Sequence, residues 1–397
     1  MNDADTLPRL LARNAARWPR RPAWRHKRLG IWETLSWAAF ARRCTDIAAG
    51  LAAGGFGPGD RLAVLGDNRP DLYAALLAAQ MLGGTGVPLD PDMEQSRLAE
   101  ILQDARVSVA IVDTVEQADR LCPFIAAHPP LARVFCADTG GFHRHVEWGK
   151  SSLDTLVGEG SAGGAPPPIA ATGMAQRDDG APVPQDLALL LYPADASQHP
   201  LALSHAQLLA AAEAIAAADP IDATDNALCY LPISSYQDAL YSLTLGLLGG
   251  FACNCPEAPD SVPRDLREIG PTILFAPAAV CNALAQLVTA KAGTVSGFKR
   301  RSFAFFQRLA LRAEECRERG QPLSPGLAIG CRIGEIAAYA PLRDQLGLNR
   351  ARWVHTDGPL PPDTARLLRA MGVALRPAFA RAAAPHPAQP APETLHA

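Results

Sequence analysis

The run from Pro193 to Ala202 reads Pro-Ala-Asp-Ala-Ser-Gln-His-Pro-Leu-Ala, and Ser204 and His205 follow it. Before it lies an apolar stretch of strand length, Leu187 to Tyr192. After it comes an Ala-rich stretch of helical composition. Ser204 stands where a helix N-cap is expected. A strand, a turn and a helix in that order often hold phosphate, because a helix N-terminus presents N–H groups without intrahelical partners. Ser197, Ser204 and His205 are the side chains that could touch a phosphate, and His199 could act as a base or anion donor. Residues of these types more often serve only as loop and cap. Phosphate binding also asks for glycines, so that backbone can approach, and for a cation. This run has no glycine, lysine or arginine. Pro193 removes a backbone donor. Asp195 adds a negative charge, and two like charges about 4 Å apart repel by about 4 kcal/mol at the effective dielectric of near-surface sites.

Other residues with chemical potential are fewer. Cys253 and Cys255 form a C-x-C pair with no second pair and no nearby histidine, so no metal site is expected. Asp357 and Asp363 are single carboxylates near a loop and a helix start, where capping explains them. The stretch from Phe298 to Gly320 joins the basic run Lys299–Arg301 to Phe303, Phe305, Phe306 and Leu309. An amphipathic helix of that kind can lie on a membrane surface. A surface helix with its apolar side on the core is the favoured reading.

The elements around these residues alternate. Asp60–Asp67 reads as a buried strand, and a helix follows with Asn68 or Asp71 near its cap and Gly83-Gly84 at its end. Further strands are expected at Thr85–Asp90, Val107–Asp113 and Ala132–Asp138, with helices at Ser96–Ala105 and from Val115. A strand at Thr272–Pro277 precedes a helix from Ala278. Strands separated by helices imply βαβ units and a largely parallel sheet, hence an α/β fold. Residues 159–184 are rich in Gly, Pro and Ala, without periodicity, and read as a flexible linker or insert. The chain then divides into two α/β parts, 1–158 and 185–380, and a Pro/Ala-rich tail at 381–397 expected to be disordered.

With 397 residues and 48% hydrophobic content, the chain can bury a sizeable core. A net charge of −3 gives no reason to expect a nucleic-acid partner. The N-terminus lacks the apolar core of a signal peptide. The longest uncharged run, from Ala239, is shorter than a spanning helix and reads as a buried helix followed by a strand. A cytoplasmic protein with reduced thiols is the expectation.

Several long stretches are similar to one family throughout. They are Leu29–Gly84, Leu231–Phe251, Ile269–Leu284 and Tyr339–Arg376. On these the chain resembles the AMP-forming acyl-CoA synthetases of the adenylate-forming superfamily, most of all the bacterial long-chain fatty acid branch. The resemblance implies a large N-terminal α/β domain of parallel sheets flanked by helices, followed in the family by a small C-terminal domain. It also implies a two-step reaction: a carboxylate attacks the α-phosphate of ATP to give acyl-AMP, and the thiol of coenzyme A then displaces AMP.

The resemblance also assigns positions. Pro193–Ala202 falls on the family's phosphate loop, of the type Thr-Ser-Gly-Thr-Thr-Gly-x-Pro-Lys-Gly, where only Ser197 and Pro200 keep that character. Tyr192, Ser204 and His205 flank it unchanged. In the family's Tyr-Gly-x-Thr-Glu motif, Phe379 stands at the adenine-side aromatic ring and Ala383 at the glutamate that holds magnesium. A methyl group cannot coordinate that ion. The adenine-side glycine is kept as Gly358. Ser235 and Asp238 stand where the family often has His or Trp and Glu. ATP, Mg²⁺ and coenzyme A are therefore implied by the family, while their main ligands are missing here. The family's ribose motif, hinge and C-terminal domain fall past residue 397, so that domain is expected to be absent. The chain reads as a ligase of this branch that is inactive or strongly impaired, with a pseudoenzyme binding an acyl ligand or a protein partner, or a decayed gene product, as alternatives.

Overall fold

The computed structural model describes residues 4–127, 130–139, 150–163, 182–193, 198–294, 297–335 and 339–376. Ser197, Phe379, Ala383, the tail at 381–397 and most of the expected linker lie outside them. Within the described residues the chain divides into two units, Met1–Ala223 with Cys229–Cys255, and Thr224–Leu228 with Pro256–Ala382.

The first unit opens with α1 (Leu7–Arg17), capped by Thr6, whose side chain accepts from the Arg9 N–H. A hairpin follows, β1 (Pro22–Arg28) and β2 (Ile31–Ser36), then α2 (Trp37–Ala53). The expected alternation begins at β3 (Arg61–Leu65) and continues through α3 (Pro70–Met81), β4 (Thr85–Leu89), α4 (Gln95–Asp104), β5 (Val109–Thr114), α5 (Val115–Ala127) and β6 (Arg133–Asp138). Helix α3 is apolar on all sides and buried from Leu72 to Ala79, as a helix without a polar stripe must be. Its N-cap position is Arg69, with Asn68 just before it and Asp71 in the first turn, so both stand near the cap as expected, and no side chain hydrogen-bonds the cap. Pro70 at the first helical position lacks the N–H that would want a partner.

Next come β7 (Lys150–Ser152), α6 (Leu153–Gly163), β8 (Leu187–Leu191), β9 (Leu201–Ser204) and α7 (His205–Ala218). Residues 159–163, read as the start of a linker, are the last turns of α6, and Glu159 pairs there with Arg133 at 2.7 Å. Seven strands form one sheet in the order β7-β6-β5-β3-β4-β8-β9. Every neighbouring pair is parallel except β8 and β9. Since β4 pairs with β8, the expected break at 159–184 falls inside this unit. The core on one side of the sheet joins Leu65, Val87, Val112 and Val134 to Leu98, Ile101 and Leu121.

The stretch around Ser204 is a correction. Strand, turn and helix were expected. A second strand, β9, pairs antiparallel with β8 before α7 begins. Leu201–Ser204 is short and follows Pro200, so no alternating pattern announces it.

A short strand β10 (Asn226–Leu228) belongs to the second unit. The first unit resumes with one turn, α8 (Tyr236–Asp238), a π-helix at Ala239–Thr244, α9 (Leu245–Gly249) and β11 (Ala252–Cys255). The uncharged run from Ala239 is thus a buried helix and a strand, as expected. β11 lies parallel to β1, which pairs antiparallel with β2.

The second unit contains α10 (Val262–Ile269), β12 (Ile273–Phe275), α11 (Ala278–Thr294), α12 (Gly297–Glu318), α13 (Pro325–Gly334), α14 (Ala340–Leu346), β13 (Trp353–His355), α15 (Pro362–Ala370) and β14 (Leu375–Arg376). Its three-stranded parallel sheet has the order β12-β13-β14. Among the described residues no helix is long and apolar enough to cross a membrane.

Candidate functional site

Because β3, β4, β5, β6 and β8 are parallel, their carboxyl ends open on one edge of the sheet. Ligands of open parallel sheets collect at that edge. Tyr192 and Pro193 leave β8 there, and His199 and Pro200, the former exposed, lead back into β9. The same edge carries carboxylates: Asp67 beyond β3, Asp90 and Asp92 beyond β4, Asp113 in β5 and Asp138 at the end of β6. Asp113 pairs with Arg69 at 3.1 Å and Asp138 with Arg28 at 3.3 Å. Burial raises the Asp67 carboxyl above its usual range, and Asp92 and Asp90 add to this against Arg69. His26, in contact with Arg69, is pushed down to about 4, chiefly by burial and then by that guanidinium. Five carboxylates stand against three arginines, Arg28, Arg69 and Arg120, the last donating to the Pro91 and Met93 carbonyls in the turn beyond β4, so this edge is net acidic and disfavours a polyanion.

The flanking residues expected to touch phosphate are occupied in the fold. Ser204 caps α7: its hydroxyl accepts from the Gln207 N–H at 3.2 Å, and the Gln207 side chain accepts from the Ser204 N–H at 2.9 Å. That reciprocal pair is a capping box. His205 is 1% exposed, and its Nδ1 accepts from the Leu7 N–H at 3.3 Å, tying α7 to the start of α1. An acceptor Nδ1 is an unprotonated one, and burial pushes the ring down to about 4. His205 therefore brings no positive charge at neutral pH. The Tyr192 hydroxyl donates to Asp104 Oδ2 at 2.5 Å, and burial with that carboxylate raises the phenol well above its usual value.

In the second unit, Gly358 lies just past β13, and its carbonyl accepts from the Thr356 hydroxyl at 2.8 Å. Asp357 accepts from the Ala278 N–H at 2.7 Å at the start of α11, and Asp363 sits in the first turn of α15, in keeping with capping. Cys253 and Cys255 are buried on β11, and the Cys253 thiol donates to the Ser242 carbonyl at 3.2 Å.

A polar cluster escaped the sequence reading. Asp238 is 1% exposed. The Tyr73 hydroxyl lies within hydrogen-bond distance of both its oxygens, and Asn68 Nδ2 donates to Oδ1 at 3.2 Å. Asn68 also donates to the Tyr73 hydroxyl at 2.9 Å. Ser235 caps the turn through the Asp238 N–H at 3.1 Å. The π-helix begins at the next residue, and such turns are frequent at functional sites. The signals available were the resemblance, which singles out Ser235 and Asp238, and a lone carboxylate leading into the longest uncharged run of the chain; neither pointed to Asn68 or Tyr73.

A profile of the AMP-binding enzyme family matches residues 11–378. This chain belongs to the AMP-binding enzyme family. Among relatives, the L-proline–[L-prolyl-carrier protein] ligase of Pseudomonas fluorescens is 28% identical over 196 residues, 49% of this chain and 34% of that protein. A feruloyl-CoA synthase of Amycolatopsis is 36% identical over 92 residues, 23% of this chain and 18% of that protein. These matches span about a third or less of those relatives' length. The acetoacetyl-CoA synthetase of Streptomyces lividans superposes with a TM-score of 0.65 at 19% identity, covering 94% of this chain and 51% of that one. A protein assigned as a long-chain-fatty-acid CoA ligase from Rhodopseudomonas palustris gives 0.61 at 17%, covering 93% and 73%. The fold is that of the N-terminal domain of adenylate-forming enzymes.

Members of the AMP-binding family hold a magnesium nucleotide, and the residues present here do not fit one. The hydroxyl of Ser204 is spent on a cap, His205 is neutral and enclosed, and the sheet edge is acidic. Pro193–Ala202 offers no lysine and no glycine.

Proposed function

We propose that this chain is a member of the long-chain fatty acyl branch of the AMP-binding family that does not adenylate carboxylates, and that it acts as a pseudoenzyme retaining the acyl-binding scaffold. The observation that carries the reading is the loop itself: Pro193–Ala202 has no glycine, lysine or arginine, and its flanks Ser204 and His205 are engaged in the fold and cannot take the place of those residues. Activation of a carboxylate by ATP rests on positioning and on neutralising developing charge. A loop without cations beside an acidic edge supplies neither. The branch is supported by the long collinear similarities and by the likeness in fold to the Rhodopseudomonas palustris protein.

The test is ATP–pyrophosphate exchange with carboxylates from short to long chain, in parallel with binding of a fluorescent long-chain fatty acid. Acyl binding without exchange is the expected result. Exchange well above a no-enzyme control would make the chain a working ligase and end the pseudoenzyme reading. Absence of fatty-acid binding would remove the acyl ligand.

A further inference from the structure

In the first unit, Arg17, Arg20, Arg21 and Arg42 are all exposed around the passage from α1 to α2. Arg17 ends α1, and its guanidinium lies 4.7 Å over the ring of the half-buried Trp18. A Cβ at Gly250 would lie 2.0 Å from Trp18 Cζ3, so that ring is seated directly on backbone. The chain then turns, with the Arg21 N–H donating to the Trp18 carbonyl at 3.0 Å. The turn closes over the start of α2. The Trp37 N–H donates to the Arg21 carbonyl at 3.0 Å, and the Ala38 N–H to the Pro19 carbonyl at 3.1 Å. Arg42 stands four residues after Ala38, on the same side of α2 and one turn along. The fold therefore holds these arginines together, whereas their side chains are left in solvent.

Among the described residues none of the four is ion-paired. The nearest carboxylates are few. Asp71 and Asp154 pair with Arg43, at 2.8 and 3.4 Å. Asp46 lies one turn beyond Arg42, and Glu33 is exposed on β2. The first turn of α2 carries no acidic residue, so the positive end of that helix adds to the arginines. A patch of this sign stands out on a chain whose net charge is −3.

We propose that this arginine surface docks an acidic polypeptide segment of a partner protein. The planar guanidinium fork matches a carboxylate, and arginine beside an aromatic ring is the composition of the centres of protein contacts. A small anion fits less well, because the N–H groups that open α2 are already used. Those of Trp37 and Ala38 meet carbonyls, and that of Ala39 donates to the Ser36 hydroxyl at 3.2 Å. A bilayer contact draws on apolar area as well as charge. The nearest large exposed apolar side chains in sequence, Leu29 and Ile31, lie at the other end of the β1–β2 hairpin, since Ile31 pairs with Arg28 and Ser36 with Pro22. An extended nucleic acid would run past the arginines onto a surface bordered by Glu33 and Asp46, on a chain that is acidic as a whole. A short acidic segment ends where the arginines end. The docking is independent of whether the chain adenylates carboxylates.

The proposal is tested with the full chain and a short, fluorescently labelled polyglutamate, followed by anisotropy. Binding is expected, and it should fall as salt rises. An exposed ion pair contributes about twofold, so R17Q/R20Q/R21Q/R42Q should bind about 15-fold more weakly. R17K/R20K/R21K/R42K keeps the charge without the fork, and its affinity should lie between those of the parent and the glutamine variant. R301Q/R308Q/R312Q, which removes exposed arginines of α12, should bind as the parent does. All the substituted side chains are exposed, and the melting temperatures should match that of the parent, which separates lost binding from lost folding. Failure to bind polyglutamate, or an equal loss in the α12 variant, would overturn the proposal. A loss in the lysine variant as large as in the glutamine one would do the same, since charge would then not be what binds. Tighter binding to a DNA duplex or to phosphatidylglycerol vesicles than to polyglutamate would assign the surface to a nucleic acid or to lipid headgroups instead.

Discussion

The Tyr73 hydroxyl lies 2.9 Å from one carboxylate oxygen of Asp238 and 2.8 Å from the other. Asn68 and Ser242 complete the partners, and all of them are neutral. Burial is the largest influence and pushes the Asp238 carboxyl up to about 7, against the lowering effect of these hydrogen bonds. A raised acid holds its proton longer in the folded than in the unfolded chain. The stability it contributes is full below the unfolded value of about 4 and is lost as pH rises to about 7. Asp238→Asn cannot ionise and keeps an oxygen to accept from Tyr73. The variant should gain on the parent across that window by about 4 kcal/mol. Urea unfolding at several pH values compares them. Parallel curves would mean that Asp238 is already ionised when folded.

His205 carries the opposite sign. Its folded value is depressed to about 4 by burial, from 6.5 when free. The stability it contributes is present above about 6.5 and lost as pH falls through about 4, a cost of about 3 kcal/mol. His205→Gln keeps an acceptor for the Leu7 N–H and removes the titration. Its unfolding free energy should fall less than that of the parent between neutral and acid pH, as followed by circular dichroism.

Ser204→Ala separates a cap from a phosphate ligand. Loss of the capping-box hydroxyl should destabilise the protein by about 1 kcal/mol. Neither the parent nor the variant should bind nucleotide by calorimetry. A parent that bound nucleotide, with a variant that lost the binding while keeping its melting temperature, would return Ser204 to a phosphate site.

The central part of the fold was legible because buried parallel strands are continuous apolar runs and their crossover helices have clear ends. β3 through β6, with α3 to α5 between them, followed from that pattern alone. β9 was not legible, since four residues after a proline show no alternation. Asn68 stands near the cap of α3 as its type suggests, but tertiary structure, which the local sequence does not show, turns its side chain to Tyr73 and Asp238. Nothing local in the sequence specifies a pairing of residues 165 positions apart. At the site, loss of glycine and lysine could be read directly. That Ser204 caps the next helix could be read as well. That His205 was engaged elsewhere could not, because its partner Leu7 lies 198 positions away and meets it only in the folded chain.

Repair of the loop tests the reading of the site as a whole. Returning glycines and a lysine between Pro193 and Ala202 should give weak ATP binding, visible by calorimetry, and no pyrophosphate exchange. The rebuilt loop would still face the edge that carries Asp67, Asp90 and Asp92, so the binding should be weaker than a lysine and free N–H groups would give at a neutral edge. By the family resemblance, magnesium needs the carboxylate whose place Ala383 takes, and a nucleotide held without its metal leaves the α-phosphate charge unneutralised. Ala383→Glu alone should likewise do nothing measurable, because the ion would have no triphosphate to share. The two changes together should bind magnesium nucleotide more tightly than the product of their separate effects, since groups that act as one unit are not additive. Exchange from the loop repair alone would show that the carboxylate is dispensable and that the parent chain is an impaired ligase.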